Sequence, residues 1–113
     1  MKICAIIGNG FEELEAIGTI ALLRRSGIEV DIYSLENEIV LGKHTIAITN
    51  LLPLKQCLEE NYDMLLLPGG PHYELLENNV YVIELIHNFY KKKKSVSTLH
   101  HFLNGHLKRF QIL

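Results

Sequence analysis

Apolar residues in this chain come in short blocks separated by glycine and polar breaks, and the spacing within the blocks changes along the sequence. Residues 2–7, Lys-Ile-Cys-Ala-Ile-Ile, run directly into Gly8-Asn9-Gly10. So short and continuous an apolar run predicts a strand buried on both faces. From 12 to 26 the spacing becomes helical: Leu14, Ile17, Ile20 and Ala21 share one face, which Ala16, Leu22 and Leu23 widen. Gly27 stops that helix as a C-terminal cap. Residues 28–35 then alternate, Ile28, Val30 and Ile32 against Glu29, Asp31 and Tyr33, which is the period of a strand. Together these three elements read as a right-handed βαβ unit.

Two short strands, 39–41 and 45–49, flank the Gly42-Lys43 turn. Pro53 suits a helix start, so 54–60 is expected to be a short helix. Residues 64–67 read as another buried parallel strand, ended by Pro68-Gly69-Gly70. Over 80–90, Val82, Leu85, Ile86 and Phe89 return at helical spacing and predict a helix with one face on the sheet. Residues 96–99 fit the next strand, and Asn104-Gly105 breaks whatever follows. Strands alternating with helices predict an α/β fold: an open parallel sheet with helices on both faces.

Composition bounds this picture. A chain of 113 residues, 48% of them hydrophobic, is one domain with a real core, and disorder over most of it is excluded. No stretch approaches the ~18 uninterrupted apolar residues of a membrane span, and the N-terminus lacks a secretory cleavage pattern. A cytoplasmic protein with no membrane partner is expected. Cys4 and Cys57 lie far apart with no metal-ligand spacing, so both are expected to be structural thiols, and neither a metal nor another cofactor is called for.

Charge is distributed unevenly. Residues 1–90 hold all 13 acidic residues, whereas residues 91–113 have no acid and six bases, starting with Lys91 to Lys94. Such a shift marks a basic tail or a segment of different origin. Four consecutive lysines at a helix end complement its dipole, and no aromatic platform accompanies them, so no nucleic-acid partner is expected.

Candidate chemistry gathers where strands end. In an open parallel sheet the functional crevice lies beyond the carboxyl ends of the strands, where Gly8 to Gly10 and Pro68 to Gly70 both fall. Gly69 or Gly70 can offer a backbone N–H to a developing anion, although tight turns use glycine regardless of function. Glu12, Glu13 and Glu15 occupy the first turn of the first helix. Helix-dipole stabilisation accounts for Glu12 and Glu13, while Glu15 lies on the crevice side with Gly18, Thr19 and Leu22 and could serve as a partly desolvated acid. Gly8-x-Gly10 lacks the third glycine of a dinucleotide fingerprint, and no phosphate-binding loop motif exists.

Gly10-Phe11-Glu12-Glu13-Leu14-Glu15-Ala16, then Leu23-Arg24-Arg25-Ser26-Gly27-Ile28-Glu29-Val30, then Tyr62-Asp63-x-Leu65-Leu66-Leu67-Pro68-Gly69-Gly70-Pro71 resemble, in order and spacing, the ThiJ/PfpI superfamily. The branch is that of the parkinsonism-associated deglycase and the bacterial ThiJ proteins, and the match covers about residues 1–94. The resemblance implies a flavodoxin-like, class I glutamine amidotransferase-like sandwich, usually a homodimer, which here would pair through the first helix. It also implies roles: a protonated glutamate at Glu15 bonded to a reactive thiolate, and a Gly70 N–H helping to form an oxyanion pocket. Substrates would be small carbonyl compounds or their protein adducts; amidase, peptidase and chaperone-like members also occur.

The pattern departs where the nucleophile belongs. After the lysines the family has a strand followed by a cysteine elbow; here Ser95-Val96-Ser97-Thr98-Leu99 fits the strand and His100-His101 occupies the elbow. The expected organisation is therefore a family-like domain over 1–99, truncated, with a divergent basic tail over 100–113. A shift of reading frame in the lysine codons and a genuine short member both account for it. His100 is the remaining candidate, with imidazole in place of thiolate beside Glu15. A three-ligand metal site from His100, His101 and His106 is disfavoured, because adjacent strand residues point to opposite faces. The sequence thus reads as a cysteine-dependent hydrolase scaffold without its nucleophile, or as a non-catalytic binding or dimerisation module.

Overall fold

The computed structural model describes residues 1–98. Five parallel strands form the main sheet, in the order β5-β2-β1-β6-β7: β1 Lys2–Ile7, β2 Glu29–Ser34, β5 Leu52–Pro53, β6 Met64–Leu67 and β7 Ser95–Thr98. β3 Val40–Leu41 and β4 Ala47–Ile48 make a separate antiparallel pair. Helix α1 is Glu13–Arg25, α2 is Tyr73–Glu77 and α3 is Val80–Lys91. This is the flavodoxin-like layout expected from the alternating strands and helices.

Strand alternation sends successive β1 side chains to opposite faces. Ile3 and Ala5 pack with Val30, Leu66 and Ile20 of α1 on one face. Cys4 and Ile6 pack with Leu65, Leu67 and the α3 residues Val82, Leu85, Ile86 and Phe89 on the other. All four α3 positions at helical spacing are buried, and the Asn79 side chain caps that helix by accepting from the Tyr81 and Val82 N–H groups at 2.9 and 3.3 Å. Tyr33 is also buried despite its polar place in the alternation. Its hydroxyl meets that of Tyr62, which donates to Asp31 at 2.6 Å, so the polar end is satisfied.

Two local expectations are corrected. The helix over 54–60 does not form; Leu52–Pro53 adds to the sheet edge beside Tyr33 and Ser34, followed by two single 3-10 turns, Leu54–Gln56 and Glu59–Asn61. Proline tolerates an edge strand, and a segment this short cannot offset the cost of helix nucleation. The buried face of α1 is also rotated from the expected one. Glu13, Ala16 and Ile20 face inward, while Leu14, Ile17 and Leu22 are 81%, 39% and 62% exposed. Small Ala16 lets the helix approach the sheet, leaving an apolar stripe on the outside.

Beyond β7, the final residue of the 96–99 strand, the tail over 100–113 and His100, His101 and His106 lie outside the described residues. Among the described residues, no helix is long and apolar enough to cross a membrane.

Candidate functional site

From β1 the sheet grows outward to β2 and β5 on one side, then to β6 and β7 on the other, so its order reverses between β1 and β6. Open α/β sheets take ligands beyond the strand ends at such a reversal. Both glycine turns lie there. The Glu12 N–H donates to the Gly69 carbonyl at 2.9 Å, tying the start of α1 to the turn after β6. Gly70 has φ +131°, and a Cβ on it would fall 2.6 Å from the Glu12 nitrogen and 2.7 Å from the Gly10 oxygen. Backbone therefore meets backbone, and only glycine fits. The structure thus brings Gly70 against the turn of α1 that carries Glu15.

The three glutamates of that turn have three different environments. Glu12 is the N-cap, accepting from the Leu14 and Glu15 N–H groups at 3.4 and 2.9 Å. Glu13 is buried rather than a solvated dipole acid, which revises the sequence reading. Its carboxylate accepts from the His44 N–H at 2.8 Å and the Ile46 N–H at 3.2 Å, pinning the β3–β4 connection over the crevice. Burial alone raises the Glu13 pKa, but these backbone donors outweigh it and hold the carboxyl below its ordinary value. Gly42 makes room for this contact, since a Cβ there would lie 2.3 Å from the Glu13 Cδ. Glu15 is half-buried, and its Oε2 is buried with no hydrogen-bond partner among the described residues.

His72, two residues beyond Gly70, is only 1% exposed, and neither ring nitrogen has a hydrogen-bond partner among the described residues. Burial pushes its pKa down to about 4, with the Gly70 backbone acting in the opposite direction. The folded protein therefore keeps this imidazole neutral between its ordinary 6.5 and about 4, while the unfolded chain takes up a proton. Stability should then fall with pH across that window, by about 2 kcal/mol between pH 7 and pH 5 from this residue. Urea unfolding at the two pH values checks this: His72→Leu should remove the loss, and an unchanged loss would assign it elsewhere.

Sequence reasoning missed Glu13, Gly42 and His72 as parts of the site. Three carboxylates in one turn hinted at divided roles, but nothing local marks His72. Glu12, Glu13 and His44 also bring one ligand atom each within 4.8 Å of one another. Capping by Glu12 and the hairpin bonds of Glu13 explain that cluster without a cation.

No thiol among the described residues serves this crevice. Cys4 is three residues before the end of β1, about 10 Å away at strand rise, and packs toward α3. Cys57 follows the first 3-10 turn. His100, the remaining candidate, is outside the described residues. A cleft of about 410 Å³ opens at the ends of β2 and β5, lined by Ser34, Glu36, Pro53, Lys55, Asn79 and Tyr81. It lies to one side of the strand reversal and includes none of the residues that the motifs single out.

A family model described as the DJ-1/PfpI family matches residues 1–101. Deglycase PfpI of Pyrococcus furiosus is 32% identical over 101 residues, which are 89% of this chain and 61% of that relative. Protein DJ-1 homolog A of Arabidopsis thaliana is 34% identical over 91 residues, covering 79% of this chain and 22% of the plant protein. The crystal structure of Drosophila melanogaster DJ-1beta superposes with a TM-score of 0.81 at 25% identity, over 86% of this chain and 53% of that one. The chain spans less than two thirds of the length of each of these three proteins.

Proposed function

This chain belongs to the DJ-1/PfpI family, and from that premise we propose that it keeps the family's carboxylate-and-glycine frame as a non-catalytic binding and dimerisation module of the cytoplasm. The observation that carries this reading is the placement of sulfur. Conversion of small carbonyl compounds or their protein adducts, the chemistry of a deglycase, needs a thiolate, because the thiol is a poor nucleophile. Cys4 and Cys57 both lie away from the strand-reversal crevice, and the residues after β7 begin Leu99-His100-His101. Glu15 and the Gly70 turn then have no nucleophile to orient. Ancestry supplies the frame, while present activity through cysteine is lost.

The outer face of α1 supports the dimerisation half. Leu14, Ile17 and Leu22 form an exposed apolar stripe at i, i+3 and i+8, suited to self-association about a two-fold axis. Unpaired thiols fit a reducing compartment. Purified protein should show no methylglyoxal loss above a blank and should sediment at about twice its 12.9 kDa chain mass. Leu14→Glu with Leu22→Glu should return it to a monomer. Turnover above blank would overturn the non-catalytic reading, and a wild-type monomer would overturn the helix-paired dimer.

A further inference from the structure

Two clefts at the carboxyl edge of the sheet join into one groove. The cleft of about 410 Å³ at the ends of β2 and β5 shares Leu35, Glu36 and Asn79 with a second of about 350 Å³, which continues past Glu74 and Leu75 of α2. Most of the lining is apolar: Leu51 and Leu54 are buried in it, while Leu52, Leu75 and Tyr81 are 40%, 44% and 44% exposed. Three carboxylates, Glu36, Glu38 and Glu74, stand against one ammonium, that of Lys55, whose Nζ lies 5.7 Å from the Tyr81 ring centroid. Glu36 is held in place by neutral donors, the Asn9 N–H at 3.4 Å and Asn9 Nδ2 at 3.0 Å, which leave its charge unbalanced. Among the described residues no basic side chain forms an ion pair with any of the three. An apolar groove with acidic lips fits a segment that is both basic and rich in large apolar side chains.

We propose that residues 99–113 of the same chain occupy this groove, with Lys108 and Arg109 against its carboxylates and the neighbouring apolar side chains on its leucines. Composition supplies the first argument. The segment contains no acid, and its two strong bases stand between Leu107 and Phe110, with Ile112 and Leu113 just beyond. Reach supplies the second. All strands of the main sheet are parallel, so Thr98 at the end of β7 leaves the sheet on the edge that carries the groove. In the strand order β2 is three places from β7, about 14 Å at the usual strand spacing. The chain from Thr98 to Lys108 extends to about 33 Å at most, more than twice that distance.

Charge separates this groove from the other large apolar cleft. That one, about 370 Å³ between α1 and β4, carries Arg24 and no acid, so it repels a basic segment. The direct path from β7 to the groove crosses the ends of β6 and β1. A docked segment therefore also passes over the Gly70 turn and acts as a strap across the strand ends. Tethering favours this occupant over a free peptide of the same chemistry, because a short linker holds it at high effective concentration. The docking uses the groove and not the crevice residues, so it does not depend on the loss of activity proposed above.

Zero-length cross-linking of the full chain with a carbodiimide tests the docking, because it joins a lysine amine to a carboxylate only where the two touch. Unlabelled and isotope-labelled protein, mixed equally and refolded together, separate links within a chain from links between chains. The expected product joins Lys108 to Glu36, Glu38 or Glu74, in light–light and heavy–heavy pairs alone. Light–heavy pairs would overturn the proposal in favour of the same segment from a second copy. Lys108 linked mainly to other carboxylates, or left unlinked, would overturn it as well. Glu38→Lys with Glu74→Lys, both exposed positions, should release the segment and expose Phe110 to chymotrypsin, which cuts slowly there in the wild type. Adding Lys108→Glu and Arg109→Glu to that variant should restore the protection, a rescue that misfolding does not produce. Equally fast cleavage in the wild type and the Glu38→Lys, Glu74→Lys variant would count against the docking.

Discussion

Replacing Gly70 with alanine is expected to lower folding stability by about 4 kcal/mol, combining a strained backbone and an overpacked contact at about 1–3 kcal/mol each. The residue holds φ at +131°, a conformation that a side chain rarely adopts. Its new methyl group would also stand 2.6 Å from the Glu12 nitrogen and 2.7 Å from the Gly10 oxygen. Neither atom can yield easily, because the Glu12 N–H is bonded to Gly69 and the Gly10 N–H to Leu41, at 2.9 and 2.8 Å. The strand-reversal crevice would open or the turn would refold. Gly18 is the control: it lies inside α1, and a methyl group added to it would have nothing within 4 Å. Gly18→Ala should stabilise by about 0.5–1 kcal/mol through helix propensity. Urea midpoints of the two variants separate these effects, and a Gly70→Ala protein within about 1 kcal/mol of wild type would remove the close contact from the account.

Phe89→Ala should destabilise by about 3–5 kcal/mol, the range for deleting a fully buried aromatic ring. Phe89 is completely buried on the inner face of α3, in the cluster that holds Cys4, Ile6, Tyr62 and Leu65. Its ring also carries Lys94, whose Nζ lies 5.8 Å from the centroid. That ammonium donates to the Glu59 and Tyr62 carbonyls at 3.0 and 2.7 Å and pairs with the Glu59 carboxylate, so it fastens the entry to β7 onto the segment before β6. Losing the ring both leaves a cavity and loosens this clasp. Against a typical total of about 5–15 kcal/mol, much of the folded population is at stake. Phe89→Leu, which keeps most of the volume, should lose far less. Equal losses in the two variants would show that the cavity is not the cause.

The strands over 2–7 and 64–67 and the helix over 80–90 were legible because each is set by a local period. Continuous apolar runs bounded by glycine can be buried only between two layers, and Val82, Leu85, Ile86 and Phe89 define a single helical stripe. Helix α1 shows where such reading stops. Its sequence is apolar on more than one side, so periodicity gave no unique inward face. The sheet buries Ala16 and Ile20, the hairpin captures Glu13, and Leu14, Ile17 and Leu22 turn outward. The segment over 54–60 failed for a related reason: Pro53 carries the same local signal at a helix start as in an edge strand. Pairing with Tyr33 and Ser34 decided between them.

The candidate site divides along the same line. Gly10, Glu15 and Gly70 belong to motifs that can be read in order along the chain, and so does the placement of both cysteines outside the elbow. By itself, then, the sequence determined the order and type of most elements, the family resemblance and the missing thiol after β7. Tertiary structure alone decided that Glu13 is a buried anchor, that His72 is a neutral core imidazole beside the Gly70 turn, and that Cys57 packs on the same apolar cluster as Cys4. Each of those facts depends on which distant residue fills a given space, and no local period of 2 or 3.6 residues encodes a contact across dozens of positions.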